Sequence, residues 1–162
     1  MRPEISRHKE ADIPEMIEVW NEVVSDGQAF PQEEILTLET GRAFFEAQAY
    51  CGVARDENGA ICGLYILHPN NVGRCGHICN ASYAVAKGKR GSGIGRRLVL
   101  DSLAIAKAAG FRIIQFNAVV ASNKAALALY RELDFRHLGT IEEGFRNKDG
   151  EYENIEVFWR KL

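Results

Sequence analysis

The spacing of apolar positions changes along the chain, and each change marks an element. Glu4 to Lys9 reads as a short strand. Met16, Val19, Trp20 and Val23 then recur at the three- and four-residue intervals of one helix face. Asp12-Ile13-Pro14-Glu15 ahead of them predicts the helix start, with Asp12 as N-cap and a proline in the first turn. This helix runs to about Ser25, and Asp26-Gly27-Gln28-Ala29-Phe30-Pro31 ends it. A shorter helix follows from about Leu38 to Ala47.

Strand-like patterns take over at Tyr50 to Arg55 and Ala60 to His68, with the hairpin signal Asn58-Gly59 between them. His77 to Val85 is the next strand. Alternation puts Ile78, Asn80, Ser82 and Ala84 on one face and Cys79, Ala81, Tyr83 and Val85 on the other. Neither face is wholly polar, which predicts a central strand. A helix from Ile94 to Ala109 carries an apolar stripe of Ile94, Leu98, Val99, Leu103, Ile105 and Ala106. Arg97, Asp101 and Lys107 lie opposite, and Gly110 closes the helix.

Phe111 to Asn117 is nearly continuous in apolar residues at its middle, as in a buried strand. A strand, a helix and a strand in that order predict a parallel pair with a crossover. A helix from Ala121 to about Leu133 follows. Strands over Phe135 to Gly144 and Tyr152 to Arg160 are joined at Asp149-Gly150. The order β-α-α-β-β-β-α-β-α-β-β predicts a mixed α/β fold of about seven strands and four helices, with residues 1–162 in one domain.

Composition narrows the classes of function. The chain has 162 residues, 46% hydrophobic and 26% charged, with a net charge of −2. That balance gives no general attraction to nucleic acid, and no apolar run is long enough for a membrane helix. Met1-Arg2-Pro3-Glu4-Ile5 lacks the apolar core of a signal peptide, so a cytoplasmic location is expected. The four cysteines, Cys51, Cys62, Cys75 and Cys79, read as reduced thiols. Cys75-Gly76-His77-Ile78-Cys79 does not have the spacing of a zinc site, and no metal is expected.

The chemistry concentrates between strand and helix, at Lys87-Gly88-Lys89-Arg90-Gly91-Ser92-Gly93-Ile94-Gly95-Arg96. Glycines let backbone N–H groups approach a ligand, and a helix N-terminus offers unpaired N–H groups with partial positive charge. Together they suit a phosphate or pyrophosphate. Arg96 stands where a dinucleotide fingerprint needs its third glycine, and no P-loop is present.

Arg90-x-x-Gly93-x-Gly95 resembles the acyl-CoA motif of the GCN5-related N-acetyltransferase family. Asn123-Lys124-Ala125-Ala126-Leu127-Ala128-Leu129-Tyr130, ending at Phe135, is similar to that family's second hallmark. Asp134 replaces the usual glycine there, and Asp tolerates the left-handed conformation better than most residues. Asn123 and Tyr130 are seven residues apart, about 10 Å along one helix face. The C-terminal segments from Phe135 to Thr140 and from Gly144 to Asn154 resemble the phosphinothricin acetyltransferase-like branch.

The resemblance implies an acetyl-CoA-dependent N-acetyltransferase acting on a small amine, such as an amino-acid analogue. It implies a donor site at Tyr83, Ala84, Val85, Arg90, Gly91, Ser92, Gly93, Ile94, Gly95, Arg96 and Asn123. Tyr130 is the implied proton donor to the leaving thiolate. Phe30, Glu34, Asn80 and Ser82 are candidates for acceptor contacts. Glu33, Glu34 and His77 stay open as the base, and Arg74, Arg136 and Arg146 as an anchor for an anionic acceptor. Glu33, Glu34, Glu39 and Glu46 would instead suit a polyamine or aminoglycoside. Protein N-termini or lysines, or a non-catalytic CoA sensor, are the other readings. A homodimer through the C-terminal strands is the implied assembly.

Overall fold

The computed structural model describes residues 3–162, so part of the N-terminal stretch read above lies outside the described residues. One seven-stranded sheet runs in the order β1-β2-β3-β4-β5-β7-β6. The strands are β1 (Glu4–Arg7), β2 (Tyr50–Arg55), β3 (Ile61–Pro69), β4 (Ile78–Val85), β5 (Ile113–Val120), β6 (Arg136–Arg146) and β7 (Tyr152–Lys161). The helices are α1 (Ile13–Asp26), α2 (Leu38–Glu46), α3 (Ile94–Ala108) and α4 (Lys124–Glu132). No helix among the described residues is long and apolar enough to cross a membrane.

Strand alternation builds two cores. Leu64, Ile66, Cys51, Val53 and Ala84 face α1 and α2, where Trp20 is 1% exposed. The Trp20 ring packs on Phe30 at 4.4 Å and Phe44 at 5.1 Å. Tyr65, Leu67, Cys79, Ala81, Phe116 and Phe158 face α3 and α4. The two faces read from β4 are therefore those of the fold, and β4 is the central strand.

Several expectations change. Asp12 precedes α1 but does not cap it. Its own backbone is already helical (φ −83°, ψ −20°), and its carboxylate accepts from Lys9 N–H and Arg55 Nη2, both at 2.7 Å. The first strand accordingly ends at Arg7, where the chain turns toward that carboxylate. On α3, Asp101 is not solvated opposite the core: it accepts from the Tyr65 hydroxyl at 2.7 Å, and its neighbour Ser102 is fully buried.

The change at β5 matters most for the site. β5 begins at Ile113, two residues later than read, and continues to Val120 through an irregularity between Phe116 and Val119. β4 and β5 are parallel, as the crossover requires, but pair only at Ile78–Ile113 and Cys79–Ile114. Beyond that point the strands part. β4 stays on β3 through Val85, while β5 follows β7.

Candidate active site

The parting of β4 and β5 exposes one edge of β4. Ala86 N–H donates to Cys62 O, and Asn70 N–H donates to Ile78 O. Antiparallel alternation then commits the even-numbered groups of β4 to β3 and turns those of Ala81, Tyr83 and Val85 to the vacated side. Two of these groups have substitutes. Asn80 Oδ1 accepts from Ala81 N–H at 2.8 Å, and Arg90 Nε donates to Val85 O at 3.3 Å. The N–H groups of Tyr83 and Val85 face the gap.

α3 starts beside this edge. Its N-cap is Gly93 in the left-handed conformation (φ +82°), where the first N–H groups of the helix are open to an anion. No atom lies within 4 Å of where a Cβ would stand at Gly93, so the glycine serves backbone conformation and ligand access, not internal packing. Ile94 and Ala84 are buried in the two cores, so only their backbones can serve a ligand. Ser92 Oγ turns back onto Lys89 O at 2.5 Å.

The cations around the loop are held by carboxylates. Arg90 pairs with Asp26 at 2.9 Å, Lys87 with Asp26 at 3.7 Å, Lys89 with Asp56 at 3.2 Å and Arg96 with Glu132 at 3.0 Å. Lys87 N–H also donates to Glu22 at 2.8 Å. The end of α1 thus braces the glycine loop. Asp26 reads in the sequence only as part of a helix stop, and its placement here depends on α1 crossing the sheet.

Two clefts meet at the gap. The first, about 640 Å³, lies between α3 and α4 and is lined by Tyr83, Val85, Arg90, Gly93, Gly95 and Arg96 from one side. Asn123, Ala126, Leu129 and Tyr130 line it from the other, with Asp26, Gln28 and Ala29 at its rim. It is open and bordered by the N-terminus of α3, a setting that suits a ligand carrying phosphate. The second, about 220 Å³, lies within the strand gap. Phe30, Pro31, Asn80, Ser82, Phe116 and Asn117 line it, and it contains no charged side chain. Both clefts include Ala29, Tyr83, Asn123, Ala126 and Tyr130.

Asn123 caps α4 through Oδ1, which accepts from Ala126 N–H at 3.3 Å, leaving Nδ2 for the cleft. One turn-pair further on, Tyr130 packs on Phe116 at 4.5 Å and Phe135 at 5.4 Å. It is 9% exposed, and burial pushes its hydroxyl well above the ordinary tyrosine range, so it stays protonated at neutral pH. Just past the end of α4, Asp134 has a φ of +61°, the left-handed turn usually given to glycine.

Other candidates stand elsewhere. Glu34 is exposed and lines neither cleft. Glu33 pairs with Arg146 at 2.8 Å in an adjoining cavity of about 530 Å³ that shares Phe30 and Pro31 with the gap. His77 and Arg74 are exposed near the start of β4, and Arg136 lies over Trp159 on the far strands. Among the described residues no cluster of His, Cys, Asp and Glu is arranged to hold a metal.

Residues 15–135 match the Acetyltransferase (GNAT) family, and the chain belongs to that family. N-acetyltransferase aca1 of Schizosaccharomyces pombe is 36% identical over 96 residues, 59% of this chain and 46% of that protein. The match thus spans about half of that relative's length. The L-methionine sulfoximine/L-methionine sulfone acetyltransferase of Pseudomonas paraeruginosa is 28% identical over 139 residues, covering 82% of this chain and 80% of that one. A GCN5-related N-acetyltransferase structure from Kribbella flavida superposes with a TM-score of 0.92 at 34% identity, covering 99% of this chain and 98% of that one.

Proposed function

We propose that the protein transfers an acetyl group from acetyl-CoA to the primary amine of a small molecule of the amino-acid-analogue class. The observation that carries this reading is the meeting of the two clefts at Tyr83 and Tyr130 through the parted strands. The α3–α4 cleft takes acetyl-CoA, with its pyrophosphate on the N-terminus of α3 and its arm along Asn123 and Tyr130. The gap takes the amine. The similarity to a methionine sulfoximine acetyltransferase over most of both chains supports an acceptor of that kind.

In this reaction the amine nitrogen attacks the thioester carbon, forming the C–N bond as the C–S bond breaks. An N–H of the free β4 edge, at Tyr83 or Val85, receives the developing oxyanion. The departing thiolate takes the proton of Tyr130, and the nitrogen's surplus proton leaves through solvent, from which the Tyr130 phenolate regains its own. The amine must arrive neutral, and the gap holds no carboxylate to accept its proton. Proton removal therefore runs through solvent or Glu33 at the outer cavity, and turnover follows the free-base fraction of the acceptor.

The test is thiol release from acetyl-CoA against methionine sulfoximine, phosphinothricin, free amino acids, polyamines, an aminoglycoside and short peptides. Selective turnover of an amino-acid analogue is expected. Turnover confined to polyamines, aminoglycosides or peptides overturns the acceptor assignment, and binding of acetyl-CoA with no turnover overturns the activity.

A further inference from the structure

Two tyrosines from adjacent strands reach across to the same helix. Tyr65 on β3 and Tyr83 on β4 are direct cross-strand partners, with rings 6.1 Å apart. Their hydroxyls meet consecutive residues of α3. Tyr65 bonds Asp101 at 2.7 Å, and Tyr83 bonds Ser102 at 2.8 Å. Ser102 is 0% exposed, and its Oγ donates its one proton to Val99 O at 2.7 Å. The proton between Tyr83 and Ser102 must therefore come from Tyr83, giving a directed chain from Tyr83 Oη to Ser102 Oγ to Val99 O.

The position of this chain separates it from ordinary packing. β4 has lost its β5 partner by Tyr83, so one of its two lateral supports is gone there. The same residue carries an N–H facing the gap. Its ring stands edge-on to Phe116 at 5.9 Å, and Phe116 packs on Tyr130. Val99, at the other end of the chain, lines the donor cleft. Ser102 lies eight residues from the start of α3, about 12 Å along its axis. A single tie thus fixes the free strand edge relative to the helix whose N-terminus faces the phosphates.

We propose that Ser102 and the Tyr83 hydroxyl are positioning groups that hold the free edge of β4 in hydrogen-bonding range of the thioester carbonyl. The proposal rests on the acetyl-CoA reading above, but its test needs no acceptor. Loss of the tie lets the edge shift, and the N–H no longer meets the carbonyl. Binding of the phosphates at the far end of α3 continues.

The experiment is infrared spectroscopy of acetyl-CoA, labelled with ¹³C at the thioester carbonyl, bound to the purified protein. Hydrogen bonding lowers the carbonyl stretching frequency. In the wild type the band is expected below its position in buffer. In Tyr83→Phe and Ser102→Ala it is expected to move back toward that position, with acetyl-CoA Kd within about twofold. On an accepted amine, kcat should fall about tenfold or more, since small misplacements at a reacting centre are amplified in rate.

Tyr65→Phe is the control: it removes an equivalent bond to α3 from a strand that does not face the gap, so its band and kcat should match wild type. Ser102→Ala strands a buried Tyr83 hydroxyl, whereas adding Tyr83→Phe removes that orphan, so the double variant should melt above Ser102→Ala alone. A Tyr83→Phe band equal to wild type overturns the proposal, as does an equal displacement by Tyr65→Phe. If acetyl-CoA binds but no amine is acetylated, the functional reading fails and the infrared band still decides this one.

Discussion

Tyr130 combines three properties at one position: a ring locked by Phe116 and Phe135, a hydroxyl held protonated by burial, and access to both clefts. Tyr130→Phe keeps the ring and removes only the hydroxyl, so kcat should fall about 10²-fold with little change in KM for acetyl-CoA. Steady-state kinetics with both substrates varied would check this, and an unchanged kcat would leave Tyr130 as packing. Because the hydroxyl titrates above its ordinary range, the rate should not be lost as pH rises through 9. It should climb with the free-base fraction of the acceptor instead. A pH–rate profile that turns down near neutrality would contradict both parts. Much at this scale was legible. Asn123, Tyr130 and the glycines carry recognisable spacing, and Asp134 was readable as a left-handed helix exit. Ser102 was not, since a lone serine inside a helical stripe looks like a surface position until its partner on another strand is known.

At the scale of elements, the glycine loop is shaped by backbone geometry and by its neighbours' charges. Gly93→Ala places a Cβ on a residue at φ +82°, costing on the order of 1–2 kcal/mol. It also crowds the entrance to the helix N-terminus, so acetyl-CoA affinity should fall several-fold more than stability alone explains. Calorimetric binding beside a melting curve would separate the two. Asp26 has the opposite effect. Its carboxylate neutralises Arg90 and Lys87 at the rim of the same cleft. Asp26→Asn should therefore tighten acetyl-CoA binding at low salt, and the gain should shrink as salt screens it. Both hairpin turns and the α3 crossover were readable from Asn58-Gly59, Asp149-Gly150 and the apolar stripe of α3. The early parting of β4 and β5 was not. Strand pairing is set by what covers each strand, and the irregularity between Phe116 and Val119 is a register shift against β7, whose residues lie about forty positions later.

For the molecule as a whole, one ionic contact links the N-terminal segment to the sheet. Asp12 is largely buried beneath Arg55. Burial raises its carboxyl pKa, but the Arg55 bond and the Lys9 N–H outweigh that, and the carboxyl ends below its ordinary range. Since the folded state holds the proton less tightly than the unfolded one, this contact contributes stability above about pH 4 and loses it as pH falls further. Denaturant titrations at pH 7 and pH 3 should show a smaller difference for Asp12→Asn than for the wild type. The same residue shows where reading along the chain stops working: an aspartate before a proline-led helix looks like a cap, and only the return of β2 43 residues later reveals the arginine it serves.

The parted strands have a consequence beyond catalysis. A sheet that opens at its centre has a front and a back entrance, each framed by different parts of the chain. The front entrance belongs to α3 and α4. The back entrance is framed by the loop after α1 and the β6–β7 hairpin, which Lys148 N–H joins by donating to Gly27 O at 3.1 Å. Sequence drift at the back entrance alters what can enter there while the front entrance stays unchanged, so under the proposed function relatives of this chain can diverge in acceptor without diverging in donor.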